Sequence, residues 1–104
     1  MARLLPRRRG DLSEGQRHRF DVAIAMARLM RRGGAGRVLI IDEFASTLDR
    51  ASARGVAGML SRWARRCGVR VVCATAHDDV LEMLGPRVLV VVSDGGRAEV
   101  LRRQ

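Results

Sequence analysis

Val38–Leu39–Ile40–Ile41–Asp42–Glu43 decides how this chain reads. Four consecutive branched apolar residues predict a short strand buried on both faces, the kind that sits in a parallel sheet covered by helices. The two carboxylates that end the run are costly there unless they have partners or a task. In open α/β sheets ligands bind beyond the C-terminal ends of the strands, so the Asp42–Glu43 corner is where chemistry is expected.

Upstream, Ser13 and Gln16 form a capping box that starts a helix. Phe20, Ala23, Ile24, Ala27 and Met30 continue it at helical spacing until Gly33–Gly34–Ala35–Gly36 stops it. Downstream, Ala51 to Arg66 reads as a second helix with Val56, Met59, Leu60 and Trp63 on one face, although Gly55 and Gly58 weaken its middle turn. Val69 to Thr75 is a second buried strand, Asp78 to Leu84 a short helix closed by Gly85–Pro86, and Val88 to Val92 a third strand. Asp94–Gly95–Gly96 is a hairpin turn leading to a last strand, Ala98 to Leu101. The order predicts an α/β fold, mostly parallel sheet with flanking helices and a C-terminal β-hairpin.

Composition narrows the class without naming the function. A hydrophobic content of 47% excludes a disordered chain, and 104 residues allow one modest core. No apolar run reaches the roughly 18–20 residues of a membrane span, which sets the expectation of a cytoplasmic protein with no direct membrane span. All 20 basic residues are arginine and the net charge is +9. Such a balance fits nucleic acid, acidic partners or anionic lipid, but the arginines are dispersed along the sequence and only Phe20, Phe44 and Trp63 could stack on bases. Cys67 and Cys73 lack zinc-type spacing and read as reduced, structural thiols.

Two strands end in polar residues at the same predicted rim: the first in Asp42–Glu43, the second in Thr75–Ala76–His77. A carboxylate there can hold the water shell of Mg²⁺, a second can orient or deprotonate an attacking water, and a histidine can stabilise charge on a terminal phosphate. Together they make a phosphoryl-transfer set.

Leu12–Ser13–Glu14–Gly15–Gln16 resembles the signature motif, LSGGQ, of ATP-binding-cassette (ABC) ATPases. Val38 to Glu43 resembles their Walker B strand and catalytic glutamate, Ser46–Thr47–Leu48–Asp49 their D-loop, and His77 falls where their switch histidine stands. Four motifs occur in the family's order at suitable spacing, from about Leu12 to about Val92. The resemblance implies the C-terminal half of a P-loop NTPase-like ATPase domain: a lead-in over 1–11, a signature helix over 12–32, and a Walker B to C-terminal strand segment over 37–104. It implies ATP and Mg²⁺ as cofactors. Asp42 would serve the metal, Glu43 and His77 would be catalytic, and Ser13, Gly15 and Gln16 would contact a nucleotide held by the opposite subunit, with Asp49 at the subunit interface.

Plainer readings stand beside these. Ser13 and Asp49 also fit as helix caps, His77 as a loop histidine, and His18 as a solvated side chain. The sequence departs from the family in having no lysine, so these residues contain no G-x-x-x-x-G-K-[ST] phosphate loop. Glu14 replaces a signature glycine, and Phe44 stands where transporters commonly carry proline. The resemblance therefore implies an ATP hydrolase module that is inactive alone. It would act with a P-loop-bearing subunit or N-terminal half-domain, and with a transporter membrane subunit or DNA as target. A non-catalytic remnant that regulates an intact ATPase, and a basic nucleic-acid-binding α/β protein, are the alternatives.

Overall fold

The computed structural model describes residues 13–103; the 1–11 lead-in and Leu12 of the LSEGQ stretch lie outside the described residues. Helix α1 (Glu14–Arg31) is followed by strand β1 (Val38–Ile41), helix α2 (Arg50–Cys67) and strand β2 (Arg70–Cys73). A 3₁₀ turn (Asp78–Val80) leads into the single-turn helix α3 (Leu81–Leu84), then strands β3 (Val88–Val92) and β4 (Ala98–Arg102). The expected element order holds throughout.

Local chemistry accounts for the boundaries. Ser13 Oγ accepts from the Gln16 N–H and Gln16 Oε1 accepts from the Ser13 N–H, at 3.2 and 3.1 Å, which closes the capping box on α1. Asp49 caps α2 by accepting from the Ser52 N–H and hydroxyl, both at 2.8 Å. These two bonds hold the Asp49 carboxyl below its usual range, the backbone donor contributing most. Gly68, in the left-handed region at φ 67°, ends α2 and turns the chain into β2.

β1 and β2 pair in parallel, Leu39 opposite Val71 and Ile41 opposite Cys73. β3 and β4 form a separate antiparallel ribbon, so the described residues hold two two-stranded sheets and not one continuous sheet. α3 is fastened to α2. The Ser61 hydroxyl on α2 donates to the Leu84 carbonyl at 3.0 Å, and Arg65 donates to the Gly85 carbonyl. α3 therefore packs along α2, and β3 leaves from its end to pair with β4.

The core is built on Leu39, Ile41, Phe44, Leu60, Trp63 and Val80, lined by the small residues Ala53, Ala57 and Ala64 of α2. Gly58 faces Met83: a methyl group on it would sit 2.9 Å from the tip of that flexible side chain, which would have to shift. Two expected faces are corrected. On α1 it is Val22, with Ala25, Met26 and Leu29 beside it, that meets the core. The expected stripe of Phe20, Ala23, Ile24, Ala27 and Met30 is not buried, and Met30 is 42% exposed. The helix is apolar on more than one side, so spacing alone does not choose the side. On α2, Leu60 and Trp63 are buried as expected, while Met59 is exposed.

Nor is β1 buried on both faces. Leu39 and Ile41 point into the core, whereas Ile40 is 73% exposed, as are Val38 and Val72 in lesser degree. One face of the parallel pair is therefore open among the described residues. This alternation predicts opposite outcomes at adjacent positions. Ile41→Asp should abolish the cooperative melting transition, because it buries a charge. Ile40→Asp should leave the transition in place and reduce self-association measured by sedimentation velocity.

Candidate functional site

The chain leaves β1 by a tight corner. Glu43 and Ala45 have positive φ, 51° and 62°, a region that costs non-glycine residues energy and persists only when the surroundings impose it. Three elements impose it here. From β2, the Ala74 carbonyl accepts from the Phe44 N–H at 2.8 Å, and the Thr75 hydroxyl donates to the Phe44 carbonyl at 3.0 Å. From α2, Arg50 Nη2 donates to the carbonyls of Ala45 and Leu48, at 2.7 and 3.0 Å, while its Nη1 pairs with Asp79 at 2.9 Å. From α1, His18 Nε2 accepts from the Ala45 N–H at 3.0 Å, and its ring packs on Phe44 with centroids 5.8 Å apart. Phe44, wholly buried, is the pivot around which Asp42 and Glu43 are turned outward.

The expectation of a solvated His18 is thus corrected: the ring is partly buried and holds the corner. The signal was in the helical period, since His18 lies four residues before the buried Val22. Burial pulls its pKa below 6.5, and the Asp21 carboxylate opposes this in part. As an acceptor from Ala45 the imidazole must be neutral. Because its folded pKa is lowered, unfolding takes up a proton. Stability is therefore unaffected well above pH 6.5 and falls as the pH drops through 6.5 toward the folded value. Thermal melts from pH 7.5 to 5 should show this decline, and His18→Gln, which keeps an acceptor but cannot titrate, should flatten it.

A shallow cleft of about 340 Å³ opens between the first turns of α1 and the corner, lined by Glu14, Arg17, His18, Asp21, Asp42, Glu43, Ser46 and Thr47. Gly15 lets the two walls approach, since a methyl group there would lie 3.3 Å from both the Leu48 side chain and the Thr47 carbonyl. The Thr47 hydroxyl donates to the Glu14 carbonyl across the same contact. At the helix start the Glu14 and Gly15 N–H groups have no partner within the helix. Arg17 contributes a buried Nε without a hydrogen-bond partner.

Of the residues singled out in the sequence, Asp42 and Glu43 line this cleft, beside the helix start formed by Ser13, Gly15 and Gln16. Asp49 and His77 do not line it. Asp49 caps α2, and His77 follows β2, its N–H donating to the Thr75 hydroxyl at 3.1 Å. Thr75, bonded to both Phe44 and His77, links the two strand ends. Sequence reading gave Arg50 no role and took Thr75 only as a polar strand end, because their bonds go to backbone carbonyls that no motif displays.

Among the described residues no group of three or more His, Cys, Asp or Glu side chains could hold a metal ion unaided. Asp42 Oδ1 accepts from the Glu43 N–H at 2.9 Å, and the residue is exposed. One fixed carboxylate in open solvent suits Mg²⁺, which keeps several waters and shares its shell with phosphate. Cys73 has no part in this: burial pushes its thiol up to about 11. Among the described residues no helix is long and apolar enough to cross a membrane.

No protein-family model matches the chain. Curated relatives do. The chain is 38% identical over 86 residues to the human phospholipid-transporting ATPase ABCA7, covering 83% of this chain and 4% of that protein. It is 38% identical over 82 residues to the rat ATP-binding cassette sub-family A member 7, covering 79% and 3%. It is 34% identical over 85 residues to the methionine import ATP-binding protein MetN 3 of Pectobacterium atrosepticum, covering 82% and 23%. The chain therefore spans less than a quarter of the length of these relatives. A solved structure from work on ATP-driven dimerization and DNA-stimulated activation of SMC ATPases superposes with a TM-score of 0.62 at 17% identity, covering 94% of this chain and 58% of that one. By sequence over most of its length the chain is part of an ATPase domain of the ATP-binding-cassette type, and the solved structure shares its fold over nearly all of it.

Proposed function

We propose that this segment supplies the water-activating and partner-facing half of an ATP-hydrolysing unit whose phosphate-cradling loop comes from another segment or chain. The observation that carries the reading is the corner itself. Glu43 has positive φ and runs directly into Phe44 and Ala45, which contacts from α1, α2 and the segment after β2 hold in place, and it lines a cleft beside a helix N-terminus. Backbone strain maintained from three sides is what a positioned catalytic group requires.

In this reading Asp42 is the residue that would serve Mg²⁺, whose chemistry when bound is to neutralise charge on the phosphates. Glu43 orients and deprotonates the attacking water. His77 stabilises charge on the terminal phosphate from the neighbouring strand end. The start of α1, with Ser13, Gly15 and Gln16, offers N–H groups and a helix dipole to a nucleotide on the opposing unit. Arg17 offsets the negative charge that Glu14 adds. Val38 to Glu43 then act as a Walker B strand, residues 12–16 as the signature, and Asp49 as the end of a D-loop at the subunit interface. The first partner is a P-loop-bearing half-domain, which would also cover the open side of β1 and β2. The target is a transporter's membrane subunit, as the relatives' names suggest, or DNA, as the fold neighbour's does.

The test is complementation. The chain alone should not hydrolyse Mg-ATP. Mixed with an N-terminal half of an ABC ATPase domain carrying G-x-x-x-x-G-K-[ST], it should. A mixture that forms a stable complex yet stays inactive would sink the catalytic reading and favour a regulatory remnant.

A further inference from the structure

The fold gathers arginines that are scattered in the sequence. α1 leads into β1 and α2 into β2 by short connections, and the two strands are parallel, so the last turns of both helices and the starts of both strands share one rim, opposite the cleft at the end of β1. There Arg37 and Arg70 are neighbours: the Arg70 N–H donates to the Arg37 carbonyl at 2.9 Å. The open end of the hairpin continues the rim beside α2. The Arg103 N–H donates to the Arg87 carbonyl at 2.9 Å, and Arg102 faces Val88 in the ladder. Two guanidinium groups converge over Gly85, where an added methyl group would lie 2.8 Å from Arg65 Nη2 and 3.7 Å from Arg103 Nη1.

Basic residues in the last turn of a helix are ordinarily explained by the helix dipole. That covers Arg31, Arg65 and Arg66. It does not cover Arg37, Arg70, Arg87, Arg102 and Arg103, none of which is in a helix. All five are exposed, and among the described residues the ion pairs fall elsewhere, on Arg50 and Arg54 with Asp79. One carboxylate, Glu82, lies with Arg87, Arg102 and Arg103 along a groove of about 360 Å³ between α3 and the hairpin. The other end of the molecule is the acidic one, where Glu14, Asp21, Asp42 and Glu43 surround the cleft.

We propose that this arginine rim binds the phosphate backbone of a nucleic-acid duplex. Guanidinium forks match phosphate oxygens in a bidentate way that point charges do not. Backbone contact needs no base readout, and the rim offers no aromatic for stacking on unpaired bases: Phe44 and Trp63 are buried and Phe20 lies in the first half of α1. The surface is distinct from the cleft, and its assignment stands or falls independently of ATP hydrolysis.

The test compares two triple variants of the full chain that have the same net charge. Arg37→Gln/Arg65→Gln/Arg103→Gln removes rim charge, while Arg19→Gln/Arg54→Gln/Arg97→Gln removes as much from elsewhere. Binding to a short labelled duplex DNA of arbitrary sequence is followed by anisotropy over a salt series, with circular dichroism to confirm folding. The rim variant should reduce the slope of log K against log salt by about two to three, since each phosphate contact contributes about 0.9, and the control should change it by less than about one. The corresponding Arg→Lys rim variant should keep most of the binding. Equal losses in the two Gln variants would overturn the proposal in favour of undirected charge attraction. So would capture by phosphatidylserine vesicles that depends on the rim while duplex binding does not, because the partner would then be a membrane surface.

Discussion

Glu43→Gln is expected to lower Mg-ATP hydrolysis by a P-loop-complemented complex about a hundredfold or more, while leaving nucleotide-dependent association intact. The substitution removes a base and keeps the shape. Glutamine is isosteric with glutamate, tolerates the same φ of 51°, and leaves the Glu43 N–H to Asp42 bond in place because that bond is made by backbone. A positioned general base contributes about 10² to 10⁴ in rate. Because the side chain is exposed in the cleft, its replacement leaves the core untouched. Single-turnover hydrolysis, with complex formation followed by gel filtration, separates the two quantities. Retention of full activity would remove Glu43 from the mechanism and shift attention to His77. Loss of association together with activity would indicate a structural role for the corner.

Phe44→Ala should have the largest effect on stability of any truncation that adds no charge. The ring is wholly buried, carries His18 on one side, and anchors a corner whose two positive-φ residues flank it directly. Truncating a buried phenylalanine to alanine costs about 3–5 kcal/mol, against a total stability of about 5–15 kcal/mol for an ordinary domain. With one side of β1 and β2 uncovered, this chain belongs near the lower end. Chemical denaturation should show the midpoint collapse toward zero denaturant. Phe44→Leu, which keeps most of the volume, should recover much of the loss. A modest change in Phe44→Ala would mean that the core around α2 is self-sufficient without the corner.

Much of this could be read in the residues, and the failures have physical causes. Caps and turns are local chemistry, so Ser13 with Gln16, Asp49 and the Gly95–Gly96 turn act as their spacing implies. Which side of a helix faces inward is not local. Val22 wins over Phe20 and Ile24 because His18 and Gly15 must meet the corner on that side of α1. Likewise Val38–Ile41 looks buried on both faces by composition, but burial depends on neighbours that these residues do not include. The carboxylates of the cleft were legible as the polar end of a strand. Arg50 and Thr75 were not, because they bind carbonyl oxygens and any sequence supplies those. The arginines are dispersed along the sequence, and adjacency along the chain says little about adjacency at the rim of a sheet.

The two sheets also differ in how far the chain must travel to build them. β3 meets β4 across the Ser93–Arg97 turn, a closure that a hairpin completes in roughly 1–10 μs. β1 can meet β2 only once the intervening chain, which carries α2, has folded back, so the parallel register depends on a long-range search. Refolding of this chain is therefore expected to depend on α2. Substitutions that weaken that helix, at Ala57 or Leu60, slow the acquisition of the corner, while those in the hairpin mainly hasten its opening.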